Sequence, residues 1–133
     1  MLAGGCFCGR IRYEAAGEPF DQTLCHCSIC RRTTGAPAVA WFTVRPADFR
    51  FISGDPRTFQ STSKGVRCFC GDCGAQLTFR APGLDEVDVT IASLDDPDAV
   101  PPLDQIWSGD RVRWMDGLGR LPRYPKRHGD GLE

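Results

Sequence analysis

The chain has 133 residues, 41% of them hydrophobic, which is enough for one domain with a modest core. A net charge of -1 and a pI near 6.1 argue against a dedicated nucleic-acid binder, and no apolar run approaches the ~18 residues that span a membrane. The N-terminal MLAGGCFCGR lacks a basic stretch followed by an apolar one, so no leader is expected and the expected compartment is cytoplasmic, where thiols stay reduced.

In chain order, the first feature is GGCFCG (4–9), with two cysteines and a trailing glycine. Arg10 to Ala15 (RIRYEA) then alternates polar and apolar residues, as a half-buried strand does. CHCSIC (25–30) follows, and Ser28 to Thr34 reads as a short helix ended by Gly35. Val39 to Val44 (VAWFTV) is β-branched and aromatic, and Asp48 to Ile52 (DFRFI) alternates again. After the turn signal Gly54-Asp55-Pro56 comes CFCGDCG (68–74), then strand-like QLTFR (76–80) and EVDVTI (86–91), separated by Ala81-Pro82-Gly83. Asp96-Pro97 opens a single turn over Pro97 to Val100. From Gly109 on, six Lys+Arg face four Asp+Glu, and little regular structure is expected after Leu121. This basic tail is either a solvated terminal segment or a holder of an acidic ligand. The sum is a mainly β single domain over residues 1–133, built of short strands with few helical turns.

Eight cysteines dominate the chemistry. Each has a cysteine neighbour two or three positions away, a spacing that suits chelation and suits disulfide geometry poorly. Cys70-x-x-Cys73-Gly74 has the form of a zinc knuckle, in which glycine permits the positive φ of a tight bend around sulfur. Cys6 and Cys8, followed by Gly9, supply a second such half, and the four close a Cys₄ tetrahedron around a structural zinc. Cys25, Cys27 and Cys30 differ: no glycine trails them, and Arg31 and Arg32 follow. Three ligands with one place left is the arrangement of a catalytic zinc, with water or substrate in the fourth position. His26 lies inside this cluster, but alternation points it away from Cys25 and Cys27, toward packing or a supporting hydrogen bond. Cys68 is the eighth thiol. It is either the fourth ligand of the second zinc or a spare thiol near the first site.

GGCFCG, CHCSICRRTTG and RCFCGDCGAQL, in this order and spacing, resemble the glutathione-dependent formaldehyde-activating (Gfa) enzyme family. Gln105-Ile106-Trp107 and Trp114-Met115-Asp116-Gly117-Leu118 are similar to that family's closing segment, so the resemblance runs from Gly4 to about Tyr124. It implies a β-tent of short antiparallel strands with zinc at one end. It implies a structural zinc on Cys6, Cys8, Cys70 and Cys73 and a catalytic zinc on Cys25, Cys27 and Cys30, hence two zinc ions per chain. It implies a carbon–sulfur lyase that condenses formaldehyde with glutathione. The partners are then a small thiol and a small aldehyde, not nucleic acid or membrane.

On that reading a substrate thiol becomes thiolate at the second zinc, or the metal polarises the aldehyde carbonyl. Three thiolates leave the zinc site at net -1, which favours thiolate delivery. Arg31 and Arg32 could pair with a glutathione carboxylate, or stand as a solvated surface pair. Trp41 could line the pocket or pack in the core. The competing class is a non-catalytic zinc scaffold with two closed sites, for which Cys68 would have to ligate.

Overall fold

The computed structural model describes residues 1–133. The chain forms ten strands: β1 (Leu2–Gly5), β2 (Arg12–Ala15), β3 (Phe20–Cys25), β4 (Val39–Val44), β5 (Phe49–Ser53), β6 (Arg57–Thr62), β7 (Gly65–Phe69), β8 (Gln76–Arg80), β9 (Val87–Thr90) and β10 (Asp104–Ile106). One α-helix, α1 (Ser28–Thr34), joins β3 to β4, and short 3₁₀ turns include Pro97–Ala99 and Arg113–Arg120. No helix is long and apolar enough to cross a membrane.

The strands form two sheets. The smaller has the order β1-β2-β5, the larger β10-β3-β4-β9-β8-β7-β6. The mainly β architecture expected from the sequence is what forms. Pairing is antiparallel with one exception: β10 runs parallel to β3, with Asp104 opposite Thr23 and Ile106 opposite Cys25.

β4 organises the interior. Its burial is nearly continuous, as for a strand covered on both faces. Phe42 and Val44 face the main core, which also contains Tyr13, Ala15, Leu77, Val87 and Val89. Tyr13 is fully buried and its hydroxyl meets Ser93 Oγ at 2.7 Å, which ties β2 to the turn after β9. Val39 and Trp41 point the other way, into a second cluster with Cys25 and Cys30. The strand's two-residue period thus assigns alternate side chains to core and site.

The helix forms as its sequence predicts. Cys27 is the N-cap, its Sγ accepting the Cys30 backbone N–H at 3.2 Å. Gly35 ends the helix in the left-handed region at φ 72°, donating to the Arg31 carbonyl at 2.7 Å. β1, β3, β6, β7 and β10 are not evident from sequence patterning.

Candidate active site

Two groups of thiols assemble. Cys6, Cys8, Cys70 and Cys73 have all their sulfurs within 4.8 Å of one another, and so do Cys25, Cys27 and Cys30. A tetrahedron with ~2.3 Å metal–sulfur bonds places sulfurs about 3.8 Å apart. Cys8 to Cys70 is 3.7 Å, Cys6 to Cys8 3.5 Å and Cys25 to Cys30 3.6 Å, so both groups fit a zinc ion. These separations are far beyond a ~2 Å disulfide bond.

The four-thiol group is two matching knuckles. Gly9 and Gly74 both have φ 81°. Cys6 N–H donates to Ile11 O and Cys70 N–H to Ala75 O, each at 3.0 Å. In return Ile11 N–H donates to Cys6 Sγ at 3.3 Å and Cys73 N–H to Cys70 Sγ at 3.4 Å. These amides stabilise thiolate. The backbone N–H of Ala75 leads in holding Cys73 down at about 6, followed by that of Cys8. Cys6 and Cys70 are also members of the main core.

The three-thiol group lies on the other side of β4, at a cavity of about 490 Å³. Cys25 ends β3, Cys27 caps α1, and Cys30 is the helix's one buried residue. Cys30 is the thiol of this group that the Arg67 guanidinium contacts. Its thiol is lowered to about 5, chiefly by the hydrogen bond with Cys25, then by Cys27 and the Arg67 guanidinium, against burial. Cys25 is pushed up in consequence, first by Cys30 and then by burial.

Arg67 is the residue that sequence reasoning missed. It is only 5% exposed, on β7, and is the one cation lining the cavity. Its Nη2 lies 3.8 Å from Cys30 Sγ and its Nε donates to Ser61 Oγ at 3.1 Å. Its guanidinium stacks over Phe79 at 5.0 Å and Trp41 at 5.9 Å. Nη1 takes part in neither hydrogen bond, so its two N–H donors remain free. The signal was a charged residue among small and apolar ones in GVRCF, at a position that strand alternation turns inward.

The other expected site residues distribute as follows. Trp41 both packs against the thiols and lines the cavity. Arg31 and Arg32 do not line it: Arg31 is half-buried with Nε unpartnered, and Arg32 is exposed. His26 is buried and turned away, its Nε2–H donating to Gln105 Oε1 at 2.7 Å, while its backbone N–H donates to Ile106 O. Both bonds fasten β10 to β3. Cys68 belongs to neither thiol group. It follows Arg67 on β7, between Thr58 and Thr78, so its side chain leaves by the opposite face. Cys68→Ser is expected to leave metal content unchanged by elemental analysis. Loss of one metal per chain would instead place Cys68 in a coordination sphere.

Two residues outside the thiol groups hold unusual backbone. Asp21 (φ 48°) and Trp107 (φ 53°) are the non-glycine residues with positive φ, and both line this cavity. Such conformations cost about 1–3 kcal/mol each and persist where the surroundings impose them.

A model of the family described as glutathione-dependent formaldehyde-activating enzyme matches residues 1–110. A Halomonas elongata protein, provisionally named a glutathione-dependent formaldehyde-activating enzyme, is 32% identical over 114 residues, covering 80% of this chain and 73% of its own. An uncharacterized lyase of Schizosaccharomyces pombe is 32% identical over 79 residues, 57% of this chain and 55% of its own. Among solved structures, a Rhodobacter sphaeroides protein at 25% identity superposes with a TM-score of 0.62, over 77% of this chain and 98% of that one. The strand-built frame, the two thiol groups and the match over most of the chain agree: this protein belongs to the glutathione-dependent formaldehyde-activating enzyme family.

Proposed function

We propose that this chain is a carbon–sulfur lyase that joins, or releases, a small aldehyde such as formaldehyde and glutathione or a related thiol. The observation that carries the reading is the three-thiol group of Cys25, Cys27 and Cys30 at the cavity, with no fourth protein thiol in it. Zinc held there would supply a Lewis-acidic position that lowers the pKa of an incoming thiol.

In the joining direction the substrate sulfur bonds to the carbonyl carbon. The C=O π pair moves to oxygen, which takes up the proton that the thiol has lost. Charge therefore develops on that oxygen. The free Nη1 donors of Arg67 are the groups of this chain suited to stabilise it, in a site partly shielded by Trp41 and Phe79. Arg67 would also offset the net -1 that three thiolates leave on a bound Zn²⁺. In the cleavage direction the same contacts hold the alkoxide whose collapse expels the thiolate.

The non-catalytic scaffold reading calls for eight ligating thiols, and Cys68 stands outside both groups. The test is adduct formation between formaldehyde and glutathione or simpler thiols with protein carrying two zinc ions per chain. Acceleration above the uncatalysed reaction is expected. No acceleration with any thiol–aldehyde pair, or a single zinc per chain, would defeat the proposal.

A further inference from the structure

The proton that the thiol loses in this addition has to be held until the carbonyl oxygen receives it. Neither Arg67 nor the three thiols can hold it: a guanidinium only donates, and the thiols are taken up once metal is bound.

Strand register supplies a base. Arg67 on β7 lies opposite Phe79 on β8, Phe79 opposite Asp88 on β9, and Asp88 opposite Thr43 on β4. Directly opposed residues project from the same face of a sheet, so these side chains form one row, and all of them line the cavity. Neighbouring strands are about 4.8 Å apart, which puts the backbones bearing Arg67 and Asp88 about 10 Å apart. The guanidinium lies over Phe79, the residue between them in the row. Cation and carboxylate thus stand on either side of one aromatic ring, on the wall that faces the thiols.

Asp88 is also held ready. It is half-buried, and its Oδ1 accepts from the buried Thr43 Oγ1 at 2.6 Å. Its Oδ2 has no hydrogen-bond partner, and the carboxylate is in no ion pair. The charged or titratable groups sharing its cavity are Arg67, the three thiols, Glu86, Asp21, Asp104 and Asp110. Among the carboxylates there, Asp88 is the one whose side chain a hydrogen bond orients. Burial pushes its carboxyl up, the Thr43 hydroxyl draws it part of the way back, and the negative charges of Glu86, Asp21 and Cys30 add to the rise. A carboxylate raised in this way accepts a proton more readily near neutral pH than an ordinary one.

Building on the thiol–aldehyde reading, we propose that Asp88 is the proton carrier of the reaction and that Thr43 positions it. In the joining direction Asp88 Oδ2 takes the proton of the glutathione thiol. The sulfur lone pair forms the C–S bond, the C=O π pair moves to oxygen, and that oxygen takes the proton from Oδ2. The carboxylate is regenerated and no further co-reactant is needed. In cleavage Asp88 takes the hydroxyl proton of the adduct and returns it to the departing sulfur. Because the joining step starts from ionised carboxylate, the rate falls as the pH drops through the raised Asp88 pKa.

The test follows kcat and KM for formaldehyde and glutathione against pH. It uses the zinc-loaded full chain, subtracts the uncatalysed rate and measures metal content at every pH. The parent is expected to show an acid limb in kcat that lies above the ordinary carboxylate range. Asp88→Asn keeps the shape of the side chain and an oxygen for Thr43. It is expected to lower kcat by about 10² to 10³, with the KM for glutathione little changed, and to abolish the acid limb. Thr43→Val removes a bond that favours the ionised form, so it should move the limb to higher pH. Glu86→Gln, in the same cavity, is the control and should keep the limb where it is. Independently of turnover, the Asp88 ¹³Cγ resonance is expected to titrate above the ordinary carboxylate range, and higher still in Thr43→Val. A fully metallated Asp88→Asn protein with undiminished kcat, or with the parent's acid limb, overturns this inference and leaves the lyase reading standing. Loss of the limb in Glu86→Gln overturns it as well. A parent protein that accelerates no thiol–aldehyde pair defeats the lyase reading, and the role of Asp88 with it.

Discussion

Cys70→Ser is expected to leave the chain without a stable fold at room temperature. Cys70 is 1% exposed, packs in the main core, and lies 3.7 Å from Cys8 across the four-thiol group. A structural zinc contributes about 10–16 kcal/mol in small zinc-finger peptides, as much as or more than the roughly 5–15 kcal/mol of net stability of an ordinary domain. Only 25 of the 133 residues are buried, so little apolar contact remains to replace what the metal provides. The matched control is Cys27→Ser. Cys27 is half-buried and outside the main core, so that variant should lose one metal per chain and activity while keeping a cooperative melt. Circular dichroism, thermal melting and elemental analysis read both proteins. A Cys70→Ser variant that melts as cooperatively and as high as the parent would refute the structural role given to the four-thiol group.

Arg67→Met is expected to lower kcat/KM by about 10² to 10³, the usual effect of removing one preorganised donor from a developing oxyanion. Methionine fills much of the space between Trp41 and Phe79 and leaves no buried cation, and the Cys30 sulfur that loses its guanidinium can still be held by metal, so the melt should stay cooperative. Arg67→Lys should recover little. A lysine has no Nε–H to give Ser61 and no planar group to stack on Phe79, so its charge would not be held where the guanidinium is. Steady-state kinetics with formaldehyde and the best thiol, together with metal content, provide the check. Undiminished kcat/KM in a fully metallated Arg67→Met protein would remove Arg67 from the reaction.

What the sequence disclosed, and what it hid, follows the range of the interactions involved. The sorting of seven cysteines into four and three was legible because ligand spacing and glycine placement are local properties, fixed within a few residues of each sulfur. Helix α1 was legible for the same reason, in its span Ser28–Thr34 and its stop at Gly35, although its cap at Cys27 was not. Strand β4 announced itself through VAWFTV. β3 did not, because FDQTLC carries a register shift between Phe20 and Thr23 and a strained Asp21 within the strand. β10 is three exposed residues whose pairing is imposed from outside, by His26 and by the Leu103 N–H donating to Gln22 O. Arg67 reaches Cys30 only because β7, β8, β9 and β4 lie side by side, and no pattern in GVRCF encodes that order. Arg31 and Arg32 were the nearer candidates in sequence, yet the helix carries them away from the cavity.

The four-thiol group has one consequence for how the molecule is put together. Its two halves come from parts of the chain 62 residues apart at Cys8 and Cys70, whereas Cys25, Cys27 and Cys30 fall within one turn of helix and the strand end before it. Bringing the distant pair together costs a loop-closure entropy of about 3.7 kcal/mol plus a constant, by the logarithmic scaling of flexible chains. The three-thiol segment closes almost no loop. During synthesis it can therefore take up metal as soon as it is free, long before Cys70 exists. The second half of the other group must wait, and its capture of metal would fasten the end of β1 to the β7–β8 connection of the large sheet. Metal uptake would then be ordered by chain connectivity: the three-thiol group first, the four-thiol group as the step that locks the fold.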